Sequence, residues 1–175
     1  MADEFRFKRL LIMGASGSGT TTLGVALAAR LGYPVFDADK YFWLPTDPPF
    51  QTMRPRAERL AQITTELARV PQSIVSGTVQ DWGAELEASF DLVVFLRIPP
   101  DVRMARLERR EVERYGKLGN PEFLEWARKY DTAGMEVRSL VKQEVWLAAR
   151  RCPVLRLENN ESVEDRVLAV LEFGQ

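Results

Sequence analysis

The chain has 175 residues, 46% hydrophobic and 28% charged, an ordinary globular composition that can bury a core of its own. Lys+Arg 24 against Asp+Glu 25 gives a net charge of -1, which argues against a general nucleic-acid binder, and the single cysteine, Cys152, excludes an internal disulfide. There is no histidine, so a proton acceptor is expected to be a carboxylate, and a metal to be a hard ion held by oxygens.

Residues 1–9 (MADEFRFKR) are too charged for a signal peptide. No apolar run approaches the ~18 residues of a membrane span, so a cytoplasmic protein without membrane or nucleic-acid partners is expected. The pattern then alternates between strand and helix. Arg9 to Met13 (RLLIM) reads as a buried strand, and Thr20 to Leu31 as a helix with Leu23, Leu27 and Leu31 one turn apart and Gly32 as its C-cap. Pro34 to Phe36 is a short strand, and Asp39 to Pro49 reads as irregular. Arg56 to Val70 is helical, with Leu60, Ile63 and Leu67 on one face.

Ser73 to Val75 and Asp91 to Leu96 are strands suited to burial on both faces. Asp101 is expected to cap a helix reaching about Tyr115. Asn120-Pro121 starts another, broken at Gly134 and running towards Arg150. Cys152, before Pro153, reads as a small buried hydrophobe rather than a reactive thiol. Val154 to Leu157 is a fifth strand, and Ser162-x-x-Asp165 opens a last helix with Val163, Val167, Val170 and Leu171 in one stripe. Strands separated by helices predict an α/β fold with a parallel sheet and three layers.

Between the first strand and its helix lies GASGSGTT, Gly14 to Thr21. A phosphate loop of the form G-x-x-x-x-G-K-[ST] fits except at Thr20, which stands in the lysine position. Gly14, Gly17 and Gly19 let the backbone of Gly14, Ala15, Ser16, Gly17, Ser18, Gly19, Thr20, Thr21 and Thr22 wrap with its N–H groups inward, and the helix start adds its positive dipole end. The Thr21 hydroxyl occupies the position that ligates Mg²⁺ in such loops. The alternative is a plain strand-to-helix turn. Without lysine, the positive charge for the phosphates must come from elsewhere.

The loop resembles that of P-loop kinases of the adenylate kinase and shikimate kinase type, and Gly17 to Thr22 (GSGTTT) is similar to the loop of some cytidylate kinases. The resemblance implies a sheet of order 2-3-1-4-5, ATP and Mg²⁺ as cofactors, and one domain over 1–175. Within it the resemblance puts an acceptor-side insertion at about 38–70 and a helical lid at about 100–135. Asp37 and Asp39 look like the D-x-D of shikimate kinases: Asp37 would hold the water shell of Mg²⁺, and Asp39 would accept or position a substrate hydroxyl proton. A solvated turn is the plainer reading of that pair.

Trp43 is a candidate substrate wall or a loop residue packed on the core, and Arg54 and Arg56 a candidate acceptor clamp or a solvated helix start. Arg103, Arg106, Arg110 and Arg114 fall on one face of their helix, which resembles the lid entry of these kinases. Arg106 and Arg110 would close over the phosphates and supply the charge absent at Thr20, unless Glu108, Glu111 and Glu113 merely pair with the stripe. Ser76-Gly77-Thr78 stands where adenylate kinases carry D-G-x-P-R, with Gly77 as a substrate-side candidate. Asn159 and Asn160 fall where relatives seat the adenine.

The expected function is phosphoryl transfer from ATP to a small acceptor: a nucleoside, a nucleotide or another hydroxyl compound. The rival is a nucleotide-binding switch or degenerate NTPase. The acceptor's identity and the oligomeric state are left open.

Overall fold

The computed structural model describes residues 5–116 and 120–175. Residues 1–4 and 117–119, which fall within the expected domain and its lid, lie outside the described residues. Five parallel strands, β1 (Arg9–Gly14), β2 (Val35–Asp37), β3 (Ser73–Ser76), β4 (Leu92–Arg97) and β5 (Val154–Glu158), form one sheet in the order β2-β3-β1-β4-β5. The helices are α1 (Thr20–Leu31), α2 (Ala38–Phe42), α3 (Arg56–Leu67), α4 (Ala84–Ala88), α5 (Pro100–Tyr115), α6 (Pro121–Arg128), α7 (Leu140–Ala148) and α8 (Val163–Phe173). No helix among the described residues is long and apolar enough to cross a membrane.

Alternation of side chains across a strand sorts the core into two layers. Leu11 and Met13 of β1, with Val75, Val93 and Phe95, face Ile63, Leu67, Trp82 and Trp146. Leu10 and Ile12, with Ile74, Val94 and Leu96, face Leu23 and Leu27 of α1 and Val167 and Val170 of α8. Both faces are covered, which is why these strands read as unbroken apolar runs; each fully buried aliphatic side chain contributes about 1.5–3 kcal/mol. Cys152 is half-buried against the first layer, and burial raises its thiol pKa, as a packing role requires.

Several boundaries differ from the sequence reading for local reasons. Part of the stretch expected to be irregular is α2, whose N-terminus is capped by the Asp37 carboxylate accepting from the Asp39 N–H at 3.0 Å. The five-residue α4 was not anticipated, being too short to show a period. Asp101 is not a cap: α5 starts at Pro100 with Pro99 before it, and two prolines preset that entry while Asp101 sits in the first turn. The segment from Asn120 onward is broken earlier than Gly134. Asn120 caps α6, which passes into a 3₁₀ turn (Lys129–Asp131), and Ser139 caps a separate α7. In α8, Val167 and Val170 are buried but Val163 is 38% exposed, and Arg166 shares the buried face.

Met104 and Leu107 of α5 pack on Ala127, Phe123 and Leu124 of α6. Arg103, 1% exposed, crosses that contact, donating twice to Ala127 O at 3.2 Å and to Asp131 at 2.9 Å. A buried guanidinium deprived of its carboxylate is costly, so Asp131→Ala should lower unfolding free energy by about 2 kcal/mol. That is less than the ~3–5 of a fully buried pair, because Asp131 keeps some solvent. Urea denaturation measures it; an unchanged midpoint would show that Arg103 needs no counter-charge.

Candidate active site

Gly14 ends β1, and the chain then turns on the Ser18 N–H to Ala15 O bond at 3.1 Å before α1 begins. Two glycines are required here by geometry. Gly17 has φ 83°, and a Cβ on it would meet Arg103 Cγ and Leu107 Cγ at 2.9 Å, so α5 lies directly on the loop. Gly19, the N-cap of α1, has φ 94°. The first-turn amides of α1 have no intrahelical acceptor, and Thr21 and Thr22 are exposed beside them. Ser18 Oγ is buried without a hydrogen-bond partner, 2.7 Å from where a Gly14 Cβ would stand.

Four of the loop's carbonyl oxygens each receive an arginine. Arg138 donates to Gly14 O at 2.6 Å, Arg103 to Ser16 O at 3.2 Å, Arg106 to Gly17 O at 3.4 Å and Arg166 to Ser18 O at 3.4 Å. Peptide planarity means that a carbonyl drawn outward turns the adjoining N–H the other way. Among the described residues only Arg103 of these four also has an ion pair, with Asp131; Arg106, Arg138 and Arg166 have none. Arg138 and Arg166 feel Asp39 and Glu161 only through space, so positive charge without a contacting carboxylate gathers around the loop.

The carboxylates lie two strands over, beyond β3. The pairing of Asp37 with Ser76 and of Ile12 with Ser76 puts the end of β2 two strand spacings from β1, about 10 Å. Gly77, with φ 105°, donates its N–H to Ile12 O at 2.9 Å; a Cβ on it would stand 3.0 Å from Ala38 Cβ, so it lets α2 pack close to the loop. Asp39, in the first turn of α2 just beyond the end of β2, is exposed to solvent. Desolvation by the surrounding protein raises its pKa, the Asp37 charge raises it further, and Arg138, Arg110 and Arg114 oppose the shift. Arg110 is itself pulled down by burial and by Arg114, with Glu111 and Asp39 opposing.

The arginine stripe therefore divides. Arg103 ties α5 to Ala127 and Asp131, Arg106 joins Gly17 O to Asn160 Oδ1 at 2.6 Å, and Arg110 and Arg114 act electrostatically on Asp39. Of the glutamates, Glu111 lies buried between Arg110 and Arg114 at 3.8 and 3.7 Å, Glu108 pairs with Arg128, and Glu113 with Arg109. Trp43 is half-buried and lies edge-on to Phe42 and Phe50, with Arg114 over the Phe50 ring at 4.8 Å. Arg54 donates to Tyr41 O at 3.0 Å and Trp43 O at 3.4 Å; Arg56 donates to Trp82 O at 3.2 Å and is otherwise exposed. Asn159 has φ 87° and donates its N–H to Arg97 O. Beside Arg106 an open cavity of about 380 Å³ is lined by Asp101, Val102, Ala105 and Arg109. A cavity of about 400 Å³ by Phe90 and Cys152, at the N-terminal ends of β4 and β5, is remote from this chemistry.

Two arginines escaped the sequence reading. Arg138 sits in an irregular stretch before α7, and Arg166 in the middle of an apolar helix, and neither shares a motif or a period with the loop it touches. Their only sequence trace is a cation where the pattern calls for nothing charged.

A sequence model of the family described as AAA domain matches residues 10–126, two-thirds of the chain and all of the phosphate loop. The chain belongs to this AAA domain family. Along nearly its whole length it is also similar to Uncharacterized protein YqaC of Bacillus subtilis (strain 168), at 45% identity over 175 residues covering 95% of this chain and 97% of that one. Among solved structures, this AAA-family chain resembles shikimate kinase from Acinetobacter baumannii in complex with shikimate, with TM-score 0.62 and 18% identity over 95% of this chain and 92% of that one. It also resembles a gluconokinase from Sinorhizobium meliloti 1021, with TM-score 0.58 and 22% identity over 96% and 91%. At these identities the likeness is one of fold: the sheet order and surrounding helices are those of P-loop kinases.

The charges around Asp39 make a prediction independent of any ligand. Asp37→Asn should move the Asp39 titration midpoint down by removing a like charge, and Arg138→Gln should move it up by removing an opposing one. Carboxyl ¹³C NMR titration reads both. Shifts of the opposite sign would mean that these side chains do not share one crevice.

Proposed function

We propose that this chain is a small-molecule kinase that transfers the γ-phosphoryl group of ATP to a hydroxyl of a small, anionic acceptor. The observation that carries the reading is Arg138: it is bonded to Gly14 O in the phosphate loop and acts electrostatically on Asp39, so the anion site and a carboxylate of raised pKa share one crevice. A nucleotide-binding switch needs the first and has no use for the second. The fold shared with shikimate kinase and gluconokinase structures supports the same assignment.

In this reading the amides of Gly14 to Thr22 receive the phosphates, and the base lies in the cavity beside Arg106, near Asn159 and Asn160. Among the described residues no cluster of three acidic or other metal-ligating side chains could hold a metal by itself. Mg²⁺ fits when it arrives with the nucleotide, since it takes few protein ligands besides phosphate and water. Thr21 would ligate it and Asp37 would hold its water shell; when bound, it neutralises charge on the phosphates.

Asp39 takes the acceptor's proton. Its raised pKa makes it a better base than a solvated carboxylate, at the cost of needing a higher pH to ionise. Arg110 and Arg138 face the same space, with Arg106 at the loop, and stabilise negative charge on the transferred group. Three guanidinium groups around one carboxylate favour an acceptor with an anionic group as well as a hydroxyl. Trp43, Gly77, Arg54 and Arg56 border the acceptor side, and the enzyme works in the cytoplasm.

Phosphoryl transfer from labelled ATP to a panel of hydroxy acids, sugars, nucleosides and nucleotides tests the proposal, and no transfer to any of them would reject it. With the acceptor in hand, Asp39→Asn should lower kcat by about 10²-fold or more while ATP affinity stays within a few-fold. Wild-type kcat/KM should rise with pH through a midpoint above the ordinary aspartate range. In addition, Thr21→Ala should weaken Mg·ATP binding more than metal-free ATP binding by calorimetry. Equal losses would remove Thr21 as a metal ligand.

A further inference from the structure

Arg166 is 3% exposed on the buried face of α8, next to Val167 and Val170. A guanidinium in such a place ordinarily has a carboxylate partner, because an isolated buried charge is strongly disfavoured. Arg166 has none among the described residues. Its ligands are two peptide carbonyls, Ser18 O at 3.4 Å and Asn159 O at 3.0 Å, and its Nε has no partner at all. Glu161 and Arg106 act on it only through space, with opposite sign.

Its position relative to the loop is equally specific. Arg166 Nη1 lies 3.7 Å from a Cβ built on Gly19, the residue before Thr20, where a lysine is absent. Its other amino group holds Asn159, a non-glycine residue at φ 87° fixed from the far side by Arg97 O. Arg106 makes a parallel connection from Gly17 O to Asn160. The phosphate loop and the β5–α8 loop are thus tied by two guanidinium groups, one from the lid helix and one from α8, which packs on α1 and the sheet.

We infer that Arg166 is the fixed cation of this phosphate loop: a positioning residue that supplies, from behind the Ser18 carbonyl, the charge missing at Thr20, and couples the phosphate loop to the β5–α8 loop. The phosphate half of this inference rests on the nucleotide reading above; the coupling of the two loops does not. Because α8 belongs to the sheet layer and not to the lid, this charge is present whether or not the lid is closed. Arg106 and Arg110 then act on the moving phosphoryl group, and Arg166 on nucleotide already bound.

The test uses the intact protein with ADP as probe. Arg166→Gln should weaken ADP binding in calorimetry by about tenfold or more, as for a lost charge-assisted contact. In the ligand-free protein the same change should speed amide hydrogen exchange at residues 14–20 and 158–162 together. Adding Thr20→Lys to Arg166→Gln should recover most of the ADP affinity and none of the exchange protection, because lysine restores the charge without the fork. Arg166→Lys should bind ADP within a few-fold of wild type yet lose protection at 158–162, since one ammonium cannot span both carbonyls.

Unchanged ADP affinity in a folded Arg166→Gln protein overturns the charge role, as does an affinity loss that lysine at neither position relieves. In Arg166→Gln, exchange faster in one loop alone overturns the coupling. If Arg166→Gln fails to fold, Arg166→Lys decides, and a loss of more than tenfold in ADP affinity rejects the charge role. A wild-type protein that binds no ADP removes the nucleotide reading itself, and the exchange data then decide the coupling separately.

Discussion

The pairing of phosphate-loop carbonyls with guanidinium groups is the contact on which the rest of this structure depends. A loop that offers its amides to an anion must point carbonyls elsewhere, and a carbonyl left unpaired in a crowded site is costly. Here Gly14, Ser16, Gly17 and Ser18 each find an arginine. Those arginines come from α5, from the segment before α7 and from α8, so three distant parts of the chain meet at one turn of backbone. The chain is nearly neutral overall, at -1, yet this small volume collects positive charge that acidic residues do not cancel.

The surrounding fold makes that concentration tolerable. Both faces of the sheet are dry and apolar, which holds the strand ends rigid and keeps Gly14, Asp37 and Ser76 in register across three neighbouring strands. The α5–α7 region is also held by polar contacts: Arg103 to Asp131, and Tyr130 to Gln143 and on to Thr78. Such buried hydrogen bonds fix geometry. They also tie the segment around Arg138 to the loop after β3.

The stripe of four arginines illustrates how far a helical period can be read. The spacing correctly put Arg103, Arg106, Arg110 and Arg114 on one face, because the period is a property of the backbone. What that face meets changes along its length, from α6, to the phosphate loop, to Asp39 and Phe50. One stripe therefore carries an anchor to α6, a loop contact and a pair of cations near Asp39. The helix that carries it begins at Pro100 and not under an Asp101 cap, because two prolines preset the entry as effectively as a side-chain cap.

Periodicity and turn chemistry by themselves determined the alternation of strands and helices, the phosphate loop, the D-x-D at the end of β2 and the apolar faces of α1, α3 and α8, since each is written within a few adjacent residues. The strand order came from resemblance and agrees with the structure. Only the tertiary structure decided which cations serve the loop. Arg138 and Arg166 lie 124 and 148 residues from the carbonyls they bond, and no local rule links positions so distant. The same holds for the raised pKa of Asp39, which follows from desolvation by the surrounding protein and from the Asp37 charge, against the opposing charges of Arg138, Arg110 and Arg114. A side chain's partner across the fold is set by how the layers stack, and that information is spread over the whole chain.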